Sequence, residues 1–205
     1  MSKYTWIIDN GHGGMIDGEY TTAPSKMHVF PDGLTIYEGV FNRGVKKHLV
    51  KMLHDEGINC VDLVPEDEDI SLGERVRRAN ELHKQHENCV YVSIHGNAGG
   101  GTGFEVWTSP GQTKSDPIAT KFFEQYEKIF SEEKPRKDTS DGDPDKESRF
   151  YVLVKTACPA ILTENFFMDQ RKDALLMLSM HGQHEIARVH FEAIENIECD
   201  DSFQP

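Results

Sequence analysis

The sequence predicts an α/β domain: a mostly parallel, twisted β-sheet flanked by helices on both faces. Three observations lead there. Short apolar runs alternate along the chain with longer segments of helical periodicity. The run Tyr4 to Asp9 is almost continuously apolar and closed by Gly11, as expected of a strand buried on both faces. Glycines and capping residues fall at the junctions.

The elements follow in order. After the first strand, Phe41, Val45, Leu49, Met52 and Leu53 mark one face of a helix, and Gly57 stands where its carboxyl end is expected. Ile58 to Leu63 reads as a second strand. Ser71 and Glu74 have capping-box spacing ahead of Val76, Ala79 and Leu82. Cys89 to His95 and Gly103 to Thr108 are the third and fourth strands. Ser115-Asp116-Pro117 opens a helix with Ile118, Phe122, Tyr126 and Ile129 inward. Pro159 to Thr163 is the last central strand, with Phe150 to Val154 expected as a neighbouring strand, and 173–197 is expected to be one helical tail. Met15 to Ile36, rich in turn residues and poor in periodicity, is expected to be a loop over the site.

Composition narrows the function. The 205 residues suffice for one domain with a full core. A net charge of -13 argues against nucleic-acid binding, which needs clustered Lys and Arg. No apolar run approaches the ~20 residues needed to cross a bilayer, so no membrane insertion is expected. The opening Met1-Ser2-Lys3-Tyr4 lacks the pattern of a signal peptide and predicts cytoplasmic synthesis. Cys60, Cys89, Cys158 and Cys199 have no C-x-x-C spacing and read as reduced thiols, not as a disulfide framework or zinc knuckle.

Chemistry concentrates in four short segments: Asp9-Asn10-Gly11-His12-Gly13-Gly14, Tyr37-Glu38-Gly39, Ser93-Ile94-His95-Gly96-Asn97 and Thr163-Glu164-Asn165. Two histidines and two glutamates, beside glycines or at the ends of apolar runs, are what a hydrolytic zinc centre requires. Three would ligate with one position open, and the remaining carboxylate would shuttle protons. In an open α/β sheet such residues gather beyond the carboxyl ends of the strands, where His12, His95 and Glu164 are expected. Glu38 is the least secure of the four, because glutamate is common in helix first turns; Glu19 or Asp17 could take its place.

These segments, in this order, resemble the zinc-dependent N-acetylmuramoyl-L-alanine amidases of the amidase type 3 family. The family's D-P-G-H-G-G corresponds to Asp9 to Gly14, and its helix-opening glutamate to Glu38, ahead of Asn42. Its L-x-x-R-x-x-x-A-N corresponds to Leu72 to Asn80, its V-S-I-H-x-N-A to Val92 to Ala98, and its P-A-x-L-x-E to Pro159 to Glu164. The resemblance implies His12, Glu38 and His95 as ligands of one Zn2+ and Glu164 as the catalytic residue. It implies cleavage of the amide between N-acetylmuramic acid and L-alanine in peptidoglycan, by a monomer acting on muropeptides.

It also implies one catalytic domain over residues 1–205, with a core of about 4–197 and no separate wall-binding domain. The endolysin-like phage and prophage members are the nearest in character, reaching the wall after release by lysis or a holin-type route. Asn10 replaces the usual proline, and Met15 to Ile36 is longer than the family pattern. A zinc peptidase or carboxypeptidase on a related scaffold, or a catalytically inactive wall-binding module, are the alternatives.

The other features read as structural. His83/His86 and His181/His184 have i,i+3 spacing but fall outside the motifs. Gly99 to Gly103 lacks the Gly-Lys-Ser/Thr of a phosphate loop. The charged stretch from Ser131 to Arg149 reads as a solvated loop.

Overall fold

The computed structural model describes residues 2–22, 26–86, 88–201 and 203. A six-stranded sheet forms its centre. In chain order its strands are β1 (Thr5–Asn10), β6 (Cys60–Asp62), β7 (Cys89–Asn97), β8 (Phe104–Thr108), β9 (Lys146–Glu147) and β10 (Ala160–Phe167). Across the sheet they lie β6-β1-β7-β10-β8-β9. The first four of that order run parallel, while β8 pairs antiparallel with β10 and parallel with β9. The sheet is therefore mostly parallel, as expected.

Period-two alternation sorts side chains between two layers. Trp6, Ile8, Val90, Val92, Ile94 and Ile161 face a thick layer built from α1 (Glu38–Asp55), α3 (Asp116–Ile129) and α6 (Met180–Cys199). Ile7, Tyr91, Ala160 and Leu162 face a thinner layer holding Val76 and Ala79 of α2 (Leu72–Gln85) and Val152 and Leu153 of α4 (Tyr151–Lys155). Helix ends follow local rules. Ser71 Oγ accepts the Glu74 N–H at 3.3 Å, closing the expected cap of α2. Gly57, at φ +68°, ends α1 in a Schellman motif: its N–H reaches His54 O at 3.1 Å and the Ile58 N–H reaches Leu53 O at 2.9 Å.

Three expectations are corrected. Phe150 to Val154 is not a strand: Tyr151–Lys155 is helix α4, where the Leu153 and Val154 N–H groups both bond Phe150 O at 3.0 Å in place of a neighbouring strand. The tail is two helices, α5 (Arg171–Leu178) and α6, broken at Ser179, whose Oγ caps α6 through Gly182 N–H at 2.9 Å. Met15 to Ile36 is not a plain loop. Within it β2 (Met15–Ile16) pairs with β3 (Glu19–Tyr20), and β4 (Met27–Val29) pairs with β5 (Thr35–Tyr37), whose last residue directly precedes Glu38. Ala23, Pro24 and Ser25 of this stretch lie outside the described residues. The four cysteines are free thiols, and no helix is long and apolar enough to cross a membrane among the described residues.

Candidate metal centre

On the thinner face, each central strand changes from apolar to polar as it nears its carboxyl end. β1 presents Ile7 then Asp9; β7 presents Tyr91, Ser93 and His95; β10 presents Ala160, Leu162 and Glu164. Register aligns the polar ends, with Asp9 opposite Ser93 and Glu164 opposite His95. They border a cleft of about 600 Å3 that also takes in His12, Lys26 and Arg75.

His12 follows β1 in a loop that brings it back over the strand ends at φ +66°, a left-handed conformation costly for a residue with a Cβ. Three successive carbonyls hold it there. Asn10 O accepts from Arg75 Nη1 at 2.7 Å, Gly11 O from Asn42 Nδ2 at 2.9 Å, and His12 O from Arg43 Nη1 at 2.9 Å and Arg75 Nη2 at 3.1 Å. The strain is thus over-determined by side chains from α1 and α2. Gly11 lies so close to the His95 ring that a Cβ would overlap it. Glu38 is the first residue of α1, where the helix dipole favours a carboxylate.

Glu38 Oε1 lies 3.1 Å from His12 Nε2 and 3.0 Å from His95 Nδ1, and the three donor atoms all lie within 4.8 Å of one another. Tetrahedral ligands with zinc bonds of about 2.1 Å sit about 3.4 Å apart, so the spacing suits zinc after small adjustment. Two imidazole nitrogens and a carboxylate are also the right donors. His12 Nε2 is buried and makes no well-aligned hydrogen bond despite its nearness to Glu38. The residues fit the ion.

His95 is oriented from behind. Ser93 Oγ donates to Asp9 Oδ2 at 3.0 Å, so toward His95 Nε2, 3.2 Å away, it acts as acceptor. That places one proton on Nε2 and leaves Nδ1, 3.0 Å from Glu38 Oε1, as the atom that would bind a metal once its own proton is displaced, the arrangement typical of ligating histidines. Asp9 also accepts from Tyr91 Oη at 2.6 Å and is paired with Arg75.

Electrostatics follow from burial and these contacts. Burial alone would raise the Glu38 carboxyl; the His12 and His95 rings outweigh it and hold it well below the carboxylate range. Burial lowers the basicity of His12. Burial also opposes charge on His95, but Glu38 overcomes it and raises the net affinity for a proton that a cation at the same point would replace. Burial pushes Glu164 up to about 7, against the pull of His95, and its Oε2 is enclosed without a hydrogen-bond partner.

The structure thus brings His12, Glu38 and His95 into one group and sets Glu164 beside them. Asp17 and Glu19 are exposed in the β2–β3 hairpin and lie outside the group. Neither His83/His86 nor His181/His184 joins a comparable cluster among the described residues. The support from Asp9, Tyr91 and Ser93 escaped the motif reading, although polar residues at Ser93 and His95, two apart on an apolar strand, were the available signal.

A family model described as N-acetylmuramoyl-L-alanine amidase matches residues 7–196. The chain is 34% identical over 186 residues to the N-acetylmuramoyl-L-alanine amidase CwlM of Bacillus licheniformis, across 90% of this chain and 64% of that protein. It is 28% identical over 200 residues to the endolysin of Bacillus phage SPP1, across 96% of this chain and 66% of that protein. The chain therefore spans about two thirds of the length of these curated relatives. Among solved structures, the N-acetylmuramoyl-L-alanine amidase from Clostridium difficile 630 superposes with a TM-score of 0.73 at 26% identity, over 96% of this chain and 97% of that one. With nearly its whole length matched, this chain belongs to the N-acetylmuramoyl-L-alanine amidase family.

Proposed function

We propose that this chain is a zinc-dependent peptidoglycan amidase, hydrolysing the amide between the lactyl group of N-acetylmuramic acid and L-alanine, and that residues 4–197 form its catalytic unit. One observation carries the reading: His12, Glu38 and His95 converge on a single point at the edge of a cleft, with the enclosed carboxyl of Glu164 on the neighbouring strand.

His12, Glu38 and His95 would hold one zinc ion. When bound, zinc supplies positive charge that acidifies water and polarises an amide carbonyl. Glu164 accepts the proton of the attacking water and delivers it to the departing alanine nitrogen. Burial raises the proton affinity of this carboxyl, which suits a group that must take a proton and then return it. Arg75, Arg43 and Asn42 keep the His12 loop in place, and Ser93 keeps the His95 ring turned the right way.

Mass spectrometry of digested sacculi tests the reading. Peptides with a free alanine amino terminus, matched by glycan with free lactyl carboxylate, are expected and should vanish with a chelator. Cleavage only within the stem peptide would instead make the protein a zinc peptidase.

A further inference from the structure

We propose that Lys26 is a specificity residue that grips a free carboxylate of the stem peptide; the proposal rests on the amidase reading above. Among the described residues lining the cleft, Arg75 and Lys26 are the Lys/Arg cations, facing the acids Asp9, Asp69 and Glu164. Arg75 is not available to a ligand. It is 2% exposed, and its nitrogens are taken by Ile70 O, Asp9, Asn10 O and His12 O. The Lys26 side chain is 42% exposed, and its contact with Glu38 Oε2, at 3.8 Å, is too long for a hydrogen bond.

The hairpin fixes where this ammonium stands. β4 and β5 pair Met27 with Tyr37, and the residues next beyond that pair, Lys26 and Glu38, meet through their side chains at 3.8 Å. The two Glu38 oxygens then face different ways. Oε1 meets both imidazoles and Oε2 meets Lys26, so the ammonium stands beside the metal-binding group, near enough for its charge to act on His12 and Glu164 as well.

The substrate chemistry supplies what it would bind. The muramoyl side of the scissile bond has its lactyl carboxyl tied up in the amide, whereas the stem peptide carries an acidic residue beyond the alanine. In a chain of net charge -13, an anion held away from the metal gains from a local cation beside it. Lys26 is placed to be that cation, and a charged hydrogen bond of this kind confers local specificity.

The test compares the zinc-loaded wild type and Lys26→Met on two muramoyl tripeptides. One has a γ-linked glutamate with a free α-carboxylate as second residue, and the other is its α-amide. On the free acid, Lys26→Met should raise KM about tenfold with kcat within about twofold, as expected for loss of one charge-assisted contact made equally in ground and transition states. On the amide the two proteins should differ by less than about twofold. Zinc content should stay at that of the wild type. Equal losses on both substrates, no loss on either, or a fall in kcat at unchanged KM overturns the proposal while leaving the amidase reading intact. A wild type that releases no alanine-terminated peptide from either substrate overturns both.

Discussion

Replacing Ser93 by alanine isolates the device that orients His95. Ser93 is fully buried, and its one hydroxyl proton is spent on Asp9 at 3.0 Å. Its oxygen is therefore what receives the His95 Nε2 proton at 3.2 Å. In Ser93→Ala that N–H loses its partner, at a cost of about 1–3 kcal/mol for a buried donor. The ring can recover by giving up that proton and keeping one on Nδ1, which Glu38 Oε1 accepts at 3.0 Å. That tautomer presents no lone pair to a metal, so zinc must first reverse it. Changes behind a ligating histidine typically weaken metal affinity 10–100-fold, or about 1.4–2.7 kcal/mol.

The folding effect should be smaller, about 1 kcal/mol, because Asp9 keeps Tyr91 and Arg75 as partners. Competition against a chromophoric chelator at fixed pH gives the zinc dissociation constant, and urea unfolding of the metal-free protein gives stability. An unchanged zinc constant beside a measurable loss of stability would refute the reasoning and reduce Ser93 to a packing residue.

Further outcomes follow from the same geometry. Glu164→Gln should lower kcat by about 10²–10⁴-fold with one zinc per chain retained; loss of zinc from that variant would make Glu164 a ligand. Gly11→Ala drives a methyl into the His95 ring and should destabilise the fold by about 1–3 kcal/mol while weakening zinc binding at least tenfold, read by the two assays above. His190 is fully buried, with Nδ1–H on Ile186 O at 2.8 Å and Thr163 Oγ1 at 2.9 Å from Nε2, and burial lowers its pKa to about 4. The unfolded chain therefore binds the extra proton first, and stability is lost as pH falls from about 6.5 to about 4, by about 3 kcal/mol in full. Urea unfolding of wild type and His190→Gln across that range should show a pH slope that is shallower in the variant; parallel slopes would contradict the assignment.

What the sequence reveals depends on how far each signal reaches. Strand rows are legible because burial imposes a two-residue period, and the same period continued past Tyr91 to Ser93 and His95, and past Leu162 to Glu164, marks the polar ends that face the cleft. Caps are legible because Ser71 and Gly57 act within a few residues. Phe150 to Val154 misleads because a five-residue apolar run carries no period of its own. What makes it helical includes its packing beside α2, where Asn80 Nδ2 donates to Lys155 O at 3.0 Å and Asn80 Oδ1 accepts the Ala157 N–H at 2.7 Å. The hairpins before Glu38 hide for a related reason, since two- and three-residue strands are too short to show alternation.

The family motifs name Asn42, Arg75 and Asn80 without saying what they do. The structure supplies their tasks: the first two hold the carbonyls of the strained loop at His12, and the third ties the carboxyl end of α4 and the loop that follows it to α2. Lys26 belongs to no motif at all. Its place beside Glu38 is a matter of register across a hairpin, and register is the one feature that a solitary lysine among turn residues cannot announce. The ligands are therefore readable from local pattern and order, while the groups that orient them or read the substrate become visible only when separate segments are brought side by side.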